Sequence, residues 1–152
     1  MERHILKRKL QIIVFELTTP LVSLNGFCDA LKGRTESQFV INQIEVIKGA
    51  VENVKSKLDI LREKIPAGND PDFISDISAA SYLQKFAVEL WESENKIISS
   101  VNQLYGIKYT PDDLHFEEWA KRLSINASEN LSKKLASLRT IQPDLELTIQ
   151  DG

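Results

Sequence analysis

Two apolar seams constrain this chain more than any other feature. The first runs Leu6, Leu10, Ile13, Leu17, Leu21, Leu24, Cys28, Leu31. Its steps alternate between four and three residues, which holds one stripe of a helix against a neighbour along its whole length. The second runs Val40, Ile44, Ile47, Val51, Val54, Leu58, Leu61, Ile65 with the same alternation. Two such helices joined by a short connection fold back on each other as an antiparallel hairpin. Gly33 is the expected stop of the first helix. Thr35 and Gln38 have the spacing of a capping box that opens the second, and Pro66 closes it.

The first seam continues past Pro20, so the proline predicts a kink rather than an end. The second helix carries apolar residues off its seam: Phe39, Ile41, Val46, Ala50 and Ile60. A lone hairpin leaves these in water. A second copy covers them, so the expected architecture is an antiparallel hairpin forming a dimeric four-helix bundle.

Residues 67–76, AGNDPDFISD, collect the turn-forming residue types. They divide the chain into a hairpin domain over 1–66, a linker over 67–77 and a C-terminal part over 78–152. That part opens with an amphipathic helix, about 79–94, with Leu83, Phe86, Ala87 and Leu90 on one face. KIISSVN (96–102) and GIKYT (106–110) have strand-like composition. Residues 112–138 read as helical, with Phe116, Trp119, Leu123, Ala127 and Leu131 along one side. LELTI (145–149) alternates apolar and polar as a half-buried strand does. The expected class is mainly α, with a small α/β C-terminal domain. An all-helical C-terminal half is the alternative, because KIISSVNQLY can also continue the preceding helix.

A chain of 152 residues makes one ordinary domain or two small ones. Its net charge of −3 argues against a dedicated nucleic-acid binder. A single cysteine excludes an internal disulfide and suits a reducing compartment. No uninterrupted apolar run approaches the roughly 18–20 residues that span a bilayer. The start, MERHILKRKLQIIVF, places basic before apolar residues, but Glu16 interrupts the run and no small-residue cleavage site follows. The expected location is cytoplasmic. Asn126 and Asn130 open glycosylation sequons, which mean little without a secretory signal.

The stretch Phe15–Leu31, FELTTPLVSLNGFCDAL, resembles the phospho-acceptor box of bacterial sensor histidine kinases, written H-E-L-x-T-P-L. Glu16, Leu17, Thr19, Pro20 and Leu21 match it, and Ser23, Gly26 and Phe27 match its tail. Phe15 stands where the family carries its phosphorylated histidine. The resemblance implies a dimerising hairpin whose outer face meets a response regulator. It is specific over residues 5–65. Over 78–152 it is weaker: the element order resembles the start of the family's ATP-binding domain. Asn126-Ala127 matches the second half of its N-x-x-x-N-A box, but Arg122 occupies the place of the first asparagine. The glycine loop and ATP lid are missing, so no cofactor is expected.

His4, Arg8, Gln11, Phe15, Thr19, Val22 and Gly26 share the face opposite the first seam. Phe15 has no nucleophilic atom and cannot take a phosphoryl group. Either the C-terminal part folds over it, or Phe15, Ile12 and Val22 form an exposed apolar patch for a partner, with Thr19, Arg8 and Gln11 beside them. In the family, Glu16 and Thr19 match residues that assist phosphotransfer; without the histidine they read more simply as a solvated glutamate and a retained threonine. His4 lies about 16 Å away by helical rise. His115 sits among carboxylates at the start of the last helix. Either is a candidate for a displaced phospho-acceptor, although lone helix histidines are usually plain surface residues. Two histidines and one cysteine, widely separated, make no metal site. Cys28 lies on the seam as a small core residue. Arg3, Lys7, Arg8 and Lys9 form a basic cluster that suits either a solvated helix start or an acidic partner.

The expected function is therefore non-catalytic. A homodimer resembling histidine kinases and kinase-like phosphotransfer proteins would bind a response regulator or sensor kinase and modulate two-component signalling. The alternatives are a phosphotransferase using His4 or His115 and a purely structural dimerisation module.

Overall fold

The computed structural model describes the backbone of residues 3–64 and 73–151 and the side chains of residues 8–63 and 81–141. Five helices follow in order: α1 (Arg3–Glu16), α2 (Thr18–Lys32), α3 (Gln38–Lys64), α4 (Phe73–Tyr105) and α5 (Leu114–Asp151). No described residue lies in a strand. The first two helices follow one another as a single rod interrupted at Leu17. Leu17 keeps right-handed geometry at φ −67° and ψ −19°, and its N–H still donates to the Ile13 carbonyl at 3.0 Å. The break falls three residues before Pro20, where the proline ring crowds the carbonyl of the residue four positions earlier, Glu16. The helix is therefore interrupted beside the proline without ending there, as its seam requires.

Four rods pack in a ring: α1–α2 on α3, α3 on α4, α4 on α5, and α5 back on α1–α2. This is a four-helix bundle drawn from one chain. The helices beside the hairpin are its own α4 and α5, where a second copy was expected. Ala50 is buried and Ile60 half-buried, while Phe39 and Val46 stay exposed. Along the first seam Leu10, Leu17, Leu21, Leu24, Cys28 and Leu31 are buried, and Ile13 is half-buried. Along the second, Val40, Ile44, Ile47, Val51, Val54, Leu58 and Leu61 are all buried. One core joins these to Leu83, Leu90, Ile97 and Val101 of α4 and to Leu131, Leu135 and Leu138 of α5.

The expected α/β C-terminal domain is not present among the described residues. KIISSVN lies within α4 and LELTI within α5. The core face of α4 runs Leu83, Phe86, Leu90, Ser93 and Glu94, Ile97, Ser100 and Val101, Leu104. Its period is helical throughout, but serines and a glutamate occupy core positions and hide it. Asn53 of α3 donates to the Ser93 hydroxyl at 2.7 Å, and Glu94 is ion-paired with Arg139 of α5. These partners offset the desolvation of the polar groups. Residues 73–77, expected in the linker, belong to α4; the rest of the expected linker up to residue 72 lies outside the described residues.

GIKYT is the connection between α4 and α5. The Tyr109 N–H donates to Oε1 of the buried Glu117 at 2.7 Å, and the Tyr109 ring meets Phe27 edge-on with centroids 6.5 Å apart. Asp113 caps α5, its Oδ1 accepting from the Phe116 N–H at 3.0 Å. The inward face of α5 contains Ala120 and Ala127, while Trp119 is 50% exposed. Of the expected side, Ala127 and Leu131 are buried and Phe116 and Leu123 pack half-buried against the core, so only Trp119 departs from it. The opening cap of α3 also differs from expectation. Ser37 is the cap, its Oγ accepting from the Val40 N–H at 3.4 Å, while Thr35 Oγ1 accepts from the Ser37 N–H at 3.2 Å. Gly33 follows the end of α2 in right-handed geometry, φ −81°.

By length and composition the stretch Arg8–Lys32 is apolar enough to cross a membrane. In the bundle its apolar stripe is spent on the core, with Leu10, Leu17, Leu24, Phe27 and Leu31 fully buried.

Cys28 is fully buried. Its Sγ lies 3.9 Å from the Ile44 carbonyl, and burial pushes its pKa up to about 12. A thiol that must lose its proton inside a dry core is a poor nucleophile. An aromatic disulfide reagent at neutral pH is expected to label it only as fast as the bundle unfolds. Labelling rates in native and denatured protein, compared by absorbance, differ by about a thousandfold or more if unfolding gates the reaction.

Candidate partner-binding face

The outer face of this interrupted rod is set by the same periodicity that buries its seam. With Leu10, Val14, Leu17, Leu21 and Leu24 turned inward, helical geometry turns Arg8, Ile12, Phe15, Thr19 and Val22 outward. Phe15 is 76% exposed, Val22 64% and Ile12 43%. Arg8 and Thr19 are exposed, and Gln11 is half-buried. Neither α4 nor α5 folds over Phe15. All six residues singled out from the sequence thus lie along one stripe of α1 and α2.

Two grooves flank the stripe. One, of about 340 Å³, runs between α1 and α5 and is lined by Lys9, Ile12, Ile13, Ser137, Thr140 and Ile141. The other, of about 70 Å³, lies between α2 and α3; Thr18, Val22, Lys55, Asp59 and Arg62 are among its lining residues. The patch is therefore a raised apolar ridge with a groove on each side.

Neighbouring helices hold the acidic and backbone groups around Phe15. Glu16 is ion-paired with Lys134 of α5. Arg62 of α3 reaches the break in the rod, donating to the Val14 carbonyl at 3.3 Å and to the Thr18 hydroxyl. Arg62 also pairs with Asp59 at 3.3 Å. Lys134 and Arg62 were not found from the sequence. They lie 118 and 44 residues from their side-chain partners Glu16 and Thr18, beyond the reach of any local spacing rule.

Of the two histidines, only His115 has a described side chain, and it stands apart from this face. The His4 side chain lies outside the described residues. His115 is exposed on the first turn of α5, about 28 Å by helical rise from Lys134, the level of Glu16. Asn126 and Arg122, matched to the nucleotide box, are exposed on α5 beside a shallow groove shared with Tyr105. No group of three or more metal-ligating side chains occurs among the described residues.

The face presents no nucleophile at the box position, and the adjacent carboxylate is engaged by a lysine. A phenyl ring offers about 150–250 Å² of apolar area to a partner and few rotamers to immobilise. Comparison with protein-family models, with curated proteins and with solved structures yields no match to this chain.

Proposed function

We propose that this protein is a non-catalytic binding protein of the histidine-kinase-like or phosphotransfer-like kind, which docks a response regulator or a sensor kinase through the Phe15 face and so modulates two-component signalling. The observation that carries this reading is the exposure of Phe15 between Ile12 and Val22. A large aromatic standing in water at the position of a phospho-acceptor has no use in the bundle's own core. The FELTTPL box supports the class of partner, because the family it resembles meets its regulators there.

Purified receiver domains of response regulators and kinase hairpins, titrated against the protein by calorimetry, test the reading. Phe15→Ala is expected to weaken the productive pair by about tenfold or more, as aromatic anchors at interface centres do, and Phe15→Asp to abolish it, with the helical circular dichroism unchanged. Undiminished binding by both variants overturns the reading. The phosphotransferase alternative is separated by incubation with a phosphorylated receiver domain. A heat- and acid-labile phosphate on the wild-type protein, lost in His4→Ala or His115→Ala, would replace the present proposal.

A further inference from the structure

We infer that the Phe15 face is built for a protein partner of opposite charge, one with an apolar socket rimmed by carboxylates, and not for a second copy of this chain. The inference rests on the reading that Phe15 is a docking residue and specifies what the docked surface must carry. The stripe and its two grooves contain one carboxylate, Asp59, and the box adds Glu16. Both are neutralised inside the bundle, Asp59 by Arg62 and Glu16 by Lys134. Arg8, Lys9 and Lys55 are exposed on the same surface and have no carboxylate partner among the described residues. Among the described residues, three cations without an ion pair therefore surround the apolar ridge, in a chain whose net charge is −3.

That asymmetry separates two occupants. A twofold contact through this face repeats the same patch on both sides. It would bring Arg8, Lys9 and Lys55 of one copy towards their equivalents on the other, and such like-charge juxtaposition opposes assembly. A carboxylate-rimmed socket meets the cations while the phenyl ring fills its floor. Long-range attraction then speeds encounter, and ring burial sets the lifetime of the complex.

The test uses the full chain and a panel of purified receiver domains and kinase hairpins. Dissociation constants are measured at about 50 mM and about 300 mM salt, between which screening of exposed charges rises steeply. Wild-type binding is expected to weaken by about tenfold over that range. Lys9→Glu/Lys55→Glu is expected to weaken low-salt binding by about tenfold or more and to remove most of the salt dependence. Phe15→Ala is expected to weaken binding while keeping the salt dependence. If Phe15→Ala weakens binding but the charge reversal does not, the charge inference falls and the docking reading stands. If Phe15→Ala has no effect, or neither a receiver domain nor a kinase hairpin binds, the docking reading falls and takes the inference with it. Self-association in sedimentation that Phe15→Ala abolishes would also overturn the inference.

Discussion

Phe27→Ala lowers the unfolding free energy by about 3–5 kcal/mol, whereas Phe15→Ala, in the same interrupted rod, changes it by less than about 0.5 kcal/mol. The two rings differ only in helical phase. Phe27 is fully buried and is the bulkiest of the completely enclosed side chains. It meets Tyr109 edge-on at an interplanar angle of 75°, beneath the connection from α4 to α5. Truncation to alanine loses the transfer energy of the ring and opens a cavity that rigid neighbours fill poorly. It also removes an aromatic contact worth about 0.5–1.5 kcal/mol. Phe15 loses only exposed surface. Urea titrations read the difference. The midpoint for Phe27→Ala should fall with an unchanged slope, and its melting temperature should drop by roughly 6–20 °C for a chain of this size. A Phe15→Ala loss as large as that of Phe27→Ala would mean that Phe15 is packed, and the docking proposal would lose its basis.

Phe27 also marks how far local pattern reached. The heptad seam ran through Leu24, Cys28 and Leu31 and left Phe27 aside, yet a helix inside a four-helix bundle buries a wider stripe than a two-helix seam requires. The hairpin itself was legible because every seam position in 10–31 and 40–61 is apolar. The C-terminal half was not, and the reason is specific. Ser93, Glu94 and Ser100 in α4, and Glu117, Ser124 and Ser128 in α5, occupy core-facing positions. Polar residues there break the helical period into short apolar pieces, and KIISSVN then looks like a strand. Burial of Ser93 and Glu94 depends on partners from other helices, Asn53 and Arg139, which no window of neighbouring residues contains, whereas Ser124 and Ser128 donate to carbonyls of their own helix. The candidate face divides the same way. The outward phase of Arg8, Ile12, Phe15, Thr19 and Val22 is a property of one helix and could be read directly. The capture of Glu16 by Lys134 and of Thr18 by Arg62 is a property of the bundle.

The polar positions in α4 carry the other large effect. Arg139→Met is expected to cost about 2–3 kcal/mol, at the low end of what breaking a buried pair costs. Glu94 is 5% exposed overall, and its carboxylate is ion-paired with the Arg139 guanidinium. That guanidinium also stacks over the Trp91 ring at 4.1 Å, a cation–π contact worth about 0.5–1 kcal/mol where it is partly exposed. Removing the arginine leaves a carboxylate among apolar neighbours with no opposite charge, and its desolvation is then uncompensated. Almost half of the Arg139 side chain reaches solvent, so water enters to relieve part of the cost, which places the value below that of a sealed pair. Glu94→Leu removes the buried charge and leaves Arg139 free to hydrate, so its cost should be smaller. The double variant Glu94→Leu/Arg139→Met should recover most of the loss, because neither side then carries an unmatched charge. A double-mutant cycle from denaturant midpoints measures the coupling directly. Additive single losses would show that the pair does no more than an exposed surface bridge, and that Glu94 is tolerated in the α4 seam because water, rather than α5, satisfies it.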